Sequence, residues 1–554
     1  MSKKLIIFDS DALKNIYKRV FFSITIFTII YFIAFFKIAD VMILKQTVKN
    51  ITNSKELYYR GRIFDRNGII LASSVKTYSL AANPNDIQDS NCHYTISVKL
   101  EKILSIPRNK INRKLLKNKK FVWLKRNISP GEHQEIINLG QIGLRTEIEN
   151  TRIYPLGEIT SHIVGYTNID GIGQGGIEKG LEKELANGKD FYLSIDSRLQ
   201  ESIRNELKKT IDHYSADSGL SIVLNIKSGE ILSMNSYPDF DPNNNKTYSS
   251  HNLFNKTIQG NYEMGSTFKP ITVAMGIEQK KINSTMLFDV SKPIKVGKYT
   301  INDYHPYEGK LDIKGIIVNS SNIGTAKIAR KIGKKNQKSF FEKLGFYEKI
   351  DLEIDETVAP LTNPNNWGKL ETMTIGYGHG FAITPLHLSQ AYASIVNGGY
   401  KVRPTLLLKT NNPLFSERII KTSTSNLIKD LLKAVVEETK YTGPRIKIEG
   451  YDIGGKTGTA ELTDSGKYKQ NANRTAFISV FPMSDPKYVV LAIIDDPKKI
   501  QEENFSITAA TVAVPLVKRI ILQMIKVIGI PPPKNDTLKA SINNKLLLKQ
   551  NANF

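Results

Sequence analysis

The sequence GSTFKP at residues 265–270 is followed directly by ITVAMGIEQKK, a run whose composition favours a helix. Pro270 suits the first turn of a helix and would be costly deeper inside it, so we expect the helix to begin close to this residue. Ser266 would then lie at the helix N-terminus, where free N–H groups and the helix dipole favour developing negative charge. Lys269 is three residues further on, which places both side chains on one helix face.

This pairing of serine and lysine has a chemical use. A serine hydroxyl is a poor nucleophile until a neighbouring base removes its proton. A neutral lysine amine can act as that base where burial and a second cation disfavour its charged form. Ser266 and Lys269 are therefore a candidate nucleophile and base, although Ser-x-x-Lys alone is a weak signal in a chain this rich in lysine.

A second motif, Ser320-Ser321-Asn322, stands near the start of IGTAKIARKIG, another helix-like run. A hydroxyl here can relay a proton to a leaving amine, and a carboxamide can hold a substrate amide while it orients Lys269. The competing interpretation is a helix N-cap, for which Ser and Asn are both favoured. Taken alone, the motif is explained more simply as the cap.

A third motif, GGKTGTA at residues 454–460, precedes the strand-like run AFISVF. Glycines allow an extended ligand backbone to lie close against a strand, and Lys456 with the hydroxyls of Thr457 and Thr459 could bind a substrate carboxylate. The letters GYDIGGKT, which begin at Gly450, also match a phosphate-binding loop. We disfavour that alternative because the preceding RIKIE is half charged and a glycine follows where a long helix should begin.

Composition limits the class of protein and its partners. Hydrophobic residues make up 40% of the 554 residues and charged residues 23%, which suits two or three globular domains. The net charge of +24 comes mostly from scattered lysines, so we expect an anionic membrane or wall polymer as a partner and no nucleic acid. Cys92 is the only cysteine, which excludes an internal disulfide and a cysteine-based zinc site.

One segment near the start is apolar enough to cross a membrane. Val20 to Phe36 is an almost unbroken apolar run that ends at Lys37, and Lys14, Lys18 and Arg19 precede it. The positive flank predicts that the N-terminus is cytoplasmic and that nearly everything after residue 38 lies outside. The alternative is a cleaved signal peptide, but the run is longer than usual and no clear cleavage site follows.

The predicted organisation has five parts. Residues 1–19 are a cytoplasmic tail, 20–38 a transmembrane anchor and 39–190 a mixed α/β domain, which the family resemblance given below identifies as a non-catalytic pedestal (dimerisation-type) domain. Residues 191–533 form the domain that carries the three motifs, and 534–554 are a polar tail that we expect to be disordered.

Local patterns add four expectations about secondary structure. Turns at Asn67-Gly68 and Ser228-Gly229 predict two hairpins. The basic stretch 102–126 is compatible with a helix broken at Pro107, which would expose a solvated face or touch anionic lipid. A late helix is predicted over 506–528, ended by three prolines.

Taken in order, Ser-x-x-Lys, Ser-x-Asn and Lys-Thr-Gly resemble the signature of penicillin-binding proteins and serine β-lactamases. The chain resembles class B penicillin-binding proteins over nearly its full length. RGRIFDRNGIILA and RIYPLGEITSHIVGYTNIDGIGQGGIE are similar to the two ends of their pedestal. SGEILSMNSYPDFDPN and RTAFISVFPMSDPKYVVLAIIDDP are similar to blocks of their transpeptidase domain. Met264 departs from the family, which usually has Pro before Gly-Ser.

The resemblance implies an α+β fold, an antiparallel sheet flanked by helices, with the serine at a helix start and Lys-Thr-Gly on the edge strand. It implies a D,D-transpeptidase that cross-links peptidoglycan stem peptides ending in D-Ala-D-Ala, is inhibited by β-lactams, and uses no metal or organic cofactor. The implied catalytic residues are Ser266 as acylated nucleophile, Lys269 as base and Ser320 as proton shuttle. The implied substrate-binding residues are Asn322, Lys456, Thr457, Gly458 and Thr459, and the backbone N–H groups of Ser266 and Thr459 would form the oxyanion hole.

Within the class, GYTNIDGIGQGGIE and Gly376-Tyr377-Gly378 resemble the septal, FtsI-type members (penicillin-binding protein 3). The elongation-type members tend to carry Gln at the position of Tyr377. A member of that type remains an alternative. The septal resemblance implies a place in the inner membrane at the division site, with the membrane-embedded glycosyltransferase FtsW and other division proteins as partners.

Two further alternatives come from other classes of protein. A β-lactamase would share the first half-reaction, but it needs a water-activating group and normally lacks a retained anchor and a pedestal. A non-enzymatic β-lactam sensor or membrane scaffold would be expected to carry damaged motifs, whereas all three are intact here.

Overall fold

The computed structural model describes residues 10–39, 59–87, 90–361, 367–409, 417–464, 467–499 and 506–532. The chain divides into two compact units, Met1–Tyr58 and Tyr59–Phe554. Residues 1–9 of the predicted cytoplasmic tail and the whole predicted tail 534–554 lie outside the described residues.

The first unit contributes one helix, α1, at Ser10–Ala39. Its segment Tyr17–Lys37 is 21 residues long and is the one stretch among the described residues that is long and apolar enough to span a membrane. Large apolar side chains along it, such as Phe27 at 72%, are exposed. Because exposed apolar surface of this extent is unfavourable in water, the helix fits the predicted single-pass anchor.

The second unit begins with the pedestal elements. Its strands are β1 Ile63–Phe64, β2 Ile70–Ala82, β3 Val122–Ile128, β4 Leu144–Ile153, β5 Tyr166–Thr167, β6 Gly173–Gly175 and β7 Phe191–Tyr192. Its helices are α2 Ser90–Leu104, α3 Arg108–Leu115, α4 Pro130–Asn138, α5 Ser161–Val164, α6 Gly176–Gly180 and α7 Glu182–Ala186.

β2 is the central strand of the pedestal. It pairs antiparallel with β1, β3 and β4, and β1 in turn pairs parallel with β7. The predicted hairpin between β1 and β2 is confirmed, and Gly68 takes the positive φ of +83° that this turn needs. The helices α2, α3 and α4 cover an apolar cluster that includes Leu80, Leu100 and Leu115.

The pedestal also holds a buried ion network. The Glu178 side chain is fully buried and accepts hydrogen bonds from Arg60 Nε at 2.5 Å and Arg152 Nε at 2.6 Å. Arg60 also contacts Glu182 at 2.7 Å. Arg60 comes from the sequence block at the start of the pedestal, and Arg152 and Glu178 come from the block near its end, so the network joins the two ends of this part of the chain.

The prediction for the basic stretch 102–126 is partly wrong. The break at Pro107 is confirmed, since α2 ends at Leu104 and α3 begins at Arg108. The last part of the stretch is not helical, because Val122–Ile128 pairs with β2 as strand β3. Cys92 lies in α2, and its side chain is outside the described part of the structure.

The remaining elements carry the motif regions. The strands are β8 Ser218–Asn225, β9 Ile231–Tyr237, β10 Tyr262–Glu263, β11 Phe288–Asp289, β12 Ile294–Val296, β13 Tyr299–Ile301, β14 Lys310–Leu311, β15 Ala382–Ile383, β16 Gly454–Asp464, β17 Lys467–Phe481 and β18 Tyr488–Asp495. The helices are α8 Ser197–His213, α9 Ser250–Leu253, α10 Lys269–Glu278, α11 Ile313–Val318, α12 Asn322–Ile332, α13 Lys334–Leu344, α14 Lys369–Gly376, α15 Pro385–Val396, α16 Thr422–Glu438, α17 Gly443–Ile446 and α18 Ala513–Met524.

The central sheet has the order β16-β17-β18-β8-β9 and is antiparallel throughout. Successive residues of β17 face opposite sides, as the period of two requires. Phe477 packs with α8 and α18, whereas Ile478 packs with the helices of the opposite face, α10 and α15. The predicted antiparallel sheet flanked by helices is confirmed, with β16 at its edge.

The second predicted hairpin and the late helix have different outcomes. β8 and β9 form the hairpin, with Gly229 at a φ of +75°. The helix predicted over 506–528 begins only at Ala513 and ends in a π-helical turn over Ile525–Gly529. Residues 509–512 form turns before the helix, in which Thr511 N and Val512 N both donate to Thr508 O, at 3.1 and 3.0 Å. The predicted boundary at residue 190 stays a prediction.

Candidate active site

Ser266 lies on a single turn of 3-10 helix, Gly265–Phe268, that runs directly into α10. Pro270 occupies the first turn of α10, where its missing N–H removes no helical hydrogen bond. A buried side chain stabilises this turn, because the Tyr392 hydroxyl donates a hydrogen bond to Thr267 O at 2.6 Å. Ser266 itself is half-buried, so its hydroxyl lies at the surface of a fixed turn.

The edge strand β16 lies directly against this turn, and Gly458 makes the approach possible. A Cβ at this position would lie 2.8 Å from Thr267 Cγ2 and 3.1 Å from Met264 O. A side chain would therefore push the strand away from the turn. The contact brings the third motif to the first, and places half-buried Thr457 and exposed Thr459 along the same edge.

Two buried lysines meet at one hydroxyl. Lys269 is 0% exposed and Lys456 is 1% exposed. Lys269 Nζ donates to Ser320 Oγ at 3.1 Å, and Lys456 Nζ donates to the same oxygen at 3.0 Å. Lys269 Nζ also donates to the backbone carbonyl of Ser320. Within the described residues, the hydrogen bonds of Lys269 go to Ser320 and not to the hydroxyl of Ser266.

Burial and like charge make Lys269 a candidate base. Desolvation and, next, the nearby Lys456 ammonium hold the pKa of Lys269 well below its usual value of 10.5, while Asp303 acts in the opposite direction. Desolvation lowers the pKa of Lys456 to about 7. Because burial disfavours the ammonium form of Lys456, a substrate carboxylate beside it would favour that form.

The second motif contains both a helix N-cap and a candidate catalytic serine, on two different residues. Ser321 is the N-cap of α12, and its hydroxyl accepts a hydrogen bond from Gly324 N at 2.9 Å. Ser320, one residue earlier, takes a φ of +54°, which is uncommon for a non-glycine residue. This conformation turns Ser320 toward the lysines. The carboxamide of Asn322 donates to Asn302 O at 2.9 Å.

The structure therefore brings the three motifs together around Ser320 Oγ. The phosphate-binding loop is excluded, because GYDIGGKT runs into the edge strand β16 and its Lys456 is buried against Ser320. Among the described residues, no group of three or more His, Cys, Asp or Glu side chains could hold a metal ion.

Comparison with known families agrees with this geometry. Residues 219–521 match the penicillin-binding protein transpeptidase domain, and residues 56–224 match the penicillin-binding protein dimerisation domain. The chain belongs to the class B penicillin-binding proteins. The transpeptidase match covers more than half of its 554 residues.

Relatives of this penicillin-binding protein extend over most of the chain. A protein of Neisseria gonorrhoeae named "Probable peptidoglycan D,D-transpeptidase PenA" is 31% identical over 512 residues, covering 87% of this chain and 86% of its own. The protein named peptidoglycan D,D-transpeptidase FtsI of Buchnera aphidicola subsp. Schizaphis graminum is 32% identical over 543 residues, covering 89% and 93%. A peptidoglycan synthetase structure from Bifidobacterium adolescentis shares the fold, with a TM-score of 0.68, 21% identity and coverage of 86% and 97%.

Several residues near the site of this penicillin-binding protein escaped the sequence reasoning. Asp303 accepts a hydrogen bond from Ser321 Oγ at 2.7 Å, and Glu263 contacts His379 Nδ1 at 3.1 Å. Tyr392, under the Ser266 turn, was also missed. None of them stands in one of the three motifs. Two of them lie next to residues that the sequence analysis quoted: Glu263, three residues before Ser266, and His379, directly after Gly376-Tyr377-Gly378.

Proposed function

We propose that this class B penicillin-binding protein is a peptidoglycan D,D-transpeptidase that cross-links stem peptides through an acyl-enzyme on Ser266. The observation that carries the proposal is the shared hydroxyl of Ser320, which accepts hydrogen bonds from Lys269 and Lys456, the lysines of the two other motifs. The names of the relatives supply the substrate, since those proteins are called peptidoglycan D,D-transpeptidases.

In the first step, Ser266 Oγ attacks the carbonyl carbon of the penultimate residue of a stem peptide ending in D-Ala-D-Ala. An ester bond forms, the bond to the terminal D-alanine breaks, and the serine proton must reach the leaving amine. Lys269 takes this proton because its pKa is lowered by burial and by Lys456. The contact between Lys269 Nζ and Ser320 Oγ then gives the proton a route to the amine.

The remaining motif residues hold the substrate and the developing charge. Lys456 and the hydroxyls of Thr457 and Thr459 bind the terminal carboxylate, whose negative charge favours the ammonium form of Lys456. Asn322 orients the peptide amide, and Gly458 keeps the strand close to Ser266. Backbone N–H groups of Ser266 and Thr459 stabilise the oxyanion, where one donor is typically worth about 2.7–4 kcal/mol of barrier.

In the second step, an amine of a neighbouring stem peptide attacks the ester carbonyl. The new amide bond forms the cross-link and the ester bond to Ser266 Oγ breaks. The proton lost by the amine restores the Ser266 hydroxyl. A β-lactam enters by the same first step, because its strained amide bond opens on attack by the serine and leaves the ring attached. Acyl-enzyme that persists separates a transpeptidase from a β-lactamase, which would hydrolyse it quickly.

The membrane topology and the cellular role are part of the proposal. Lys14, Lys18 and Arg19 before the apolar run support a cytoplasmic N-terminus and a periplasmic catalytic domain. Relatives named FtsI support a septal role. The family resemblance implies FtsW and other division proteins as partners in that role. Midcell localisation of a fluorescent fusion tests this role, and uniform labelling of the side wall would contradict it.

The decisive test of the chemistry is mass spectrometry of the intact full-length protein after exposure to penicillin. We expect a single adduct with the mass of the whole antibiotic, located by peptide mapping on Ser266 and lasting for many minutes. Ser266→Ala should leave the fold intact and abolish the adduct. An adduct of equal yield in that variant would refute the proposed nucleophile.

A further inference from the structure

Asp303 joins a small hairpin to the second motif. The strands β12 and β13 pair through Ile294↔Ile301 and Val296↔Tyr299. Ile301 is 3% exposed and packs in one apolar cluster with Ala326 of α12 and Met373 of α14. Asp303 follows two residues after this anchor, so the hairpin delivers its carboxylate to the N-terminus of α12.

Both oxygens of that carboxylate are used. Asp303 Oδ2 accepts a hydrogen bond from Ser321 Oγ at 2.7 Å, and Oδ1 accepts one from Ile323 N at 2.9 Å. Ile323 N is one of the free N–H groups at the start of an eleven-residue helix, where negative charge is favoured. The preceding residue of the hairpin acts on the same turn, because Asn302 O accepts from Asn322 Nδ2 at 2.9 Å.

These contacts surround a residue in a costly conformation. Ser320 has a φ of +54°, and a non-glycine residue in this region is typically strained by about 1–3 kcal/mol. Such a conformation persists only where its neighbours enforce it. Ser321 and Asn322, directly after Ser320, are both tied to the segment 302–303, which therefore helps to hold the Ser320 hydroxyl against the two lysines.

The same carboxylate acts on the charge of the site. The charged groups that face Lys269 are Lys456 from β16, which disfavours its ammonium form, and Asp303 from the segment after β13, which favours it. Burial is the larger influence, and it disfavours the ammonium form of Lys269 in the same direction as Lys456. Asp303 is thus a negative charge that partly offsets these two effects on Lys269.

We propose that Asp303 is a positioning residue, which fixes Ser320 and Asn322 in their working geometry and partly offsets the effect of the Lys456 charge on Lys269. The inference rests on the proposed function, since it concerns the same acylation reaction. It adds a residue outside the three motifs, and it gives the β12–β13 hairpin a role in the chemistry.

The test compares acylation rates of the full-length protein in detergent, measured with a fluorescent penicillin from pH 6 to 10. In Asp303→Asn, loss of charge-assisted hydrogen bonds should slow acylation about 10- to 100-fold. Loss of the negative charge should also lower the pKa of Lys269 further, so the rise of the rate with pH should occur at lower pH than in the wild type. A purely structural residue would not move this midpoint.

Two other variants separate geometry from charge. Ser321→Ala removes the hydroxyl that Asp303 holds but keeps the carboxylate, so we expect slower acylation with an unchanged midpoint. Asp312→Asn is the matched control, because Asp312 caps α11 through Gly315 N at 2.7 Å without touching the motif. Asn caps a helix about as well as Asp, so this variant should fold normally and leave both the rate, within about threefold, and the midpoint unchanged.

Wild-type rate and midpoint in a folded Asp303→Asn protein would overturn the inference, as would an equal shift in Asp312→Asn. If Asp303→Asn fails to fold, Ser321→Ala decides, and an unchanged rate in that variant overturns the positioning role. Failure of the proposed function is separate, because it would appear as penicillin labelling of Ser266→Ala whatever Asp303 does.

Discussion

Lys269 and Lys456 donate hydrogen bonds to the same oxygen, Ser320 Oγ, at 3.1 and 3.0 Å. Two ammonium groups this close in a buried site cannot both remain charged at low cost, since each disfavours the charge of the other. The arrangement therefore supplies a neutral amine next to a potential cation. The two lysines should consequently fail in different ways when they are replaced.

The first prediction concerns this difference. Lys269→Arg keeps a cation but supplies no usable base, so acylation should be nearly lost at every pH from 6 to 10. Lys456→Arg keeps the charge that binds a carboxylate and should retain part of the rate. The wild-type rate should rise with pH as Lys269 loses its proton, at pH values well below 10.5. Stopped-flow acylation rates measure all three, and a flat wild-type profile would exclude Lys269 as the base.

The second prediction concerns the contact between the edge strand and the nucleophile turn. Gly458→Ala places a methyl group 2.8 Å from Thr267 Cγ2, so β16 must move away from Ser266. We expect acylation to fall by about 10- to 100-fold, because small displacements in an active site are costly. Gly131→Ala is the control, since a Cβ there meets no atom within 4 Å. Equal acylation rates in the two variants would show that the close contact between β16 and the Ser266 turn does not affect the reaction.

The third prediction concerns the buried ion network of the pedestal. Glu178→Gln leaves Arg60 and Arg152 without the charge that they share, and should lower the free energy of unfolding by about 3–5 kcal/mol. The exposed pair of Arg62 and Asp190 offers a matched control, because Asp190→Asn should cost less than about 1 kcal/mol. Denaturation of the full-length protein in detergent measures both. Similar losses in the two variants would contradict the importance of burial.

The fourth prediction concerns topology. Protease added to the outside of spheroplasts should digest the chain beyond the anchor and protect only a short N-terminal piece, because the basic flank precedes the span Tyr17–Lys37. Immunoblotting with antibodies against each end of the chain reads the result. Protection of the catalytic domain until the membrane is permeabilised would show the opposite orientation.

The parts of the fold that depend on local sequence were predictable. The turn at Gly68, the turn at Gly229 and the start of a helix near Pro270 all follow from the backbone preferences of single residues. The order of the three motifs and the likeness of the surrounding blocks to a known family gave the sheet with its edge strand. These features could be predicted without knowing which strands pair with each other.

The parts that depend on long-range pairing were not predictable. Residues 122–126 looked compatible with a helix and became part of strand β3 because β2 offers them a partner. Asp303 has no local pattern that marks it, and its function appears only when the β12–β13 hairpin packs on α12. The seven residues before Ala513 satisfied the apolar pattern of a helix, yet they form an irregular segment and turns, in which the Thr511 hydroxyl bonds to Thr508 N and Ser506 O.

The position of β16 at the edge of its sheet has a consequence for solubility. Unpaired N–H and C=O groups along an edge strand attract strands from other chains, and most proteins cover or interrupt such edges to avoid aggregation. Covering this edge completely would block access to Ser266. The chain therefore leaves the edge open at half-buried Thr457 and exposed Thr459, where a strand of a second copy would compete with a stem peptide at high protein concentration.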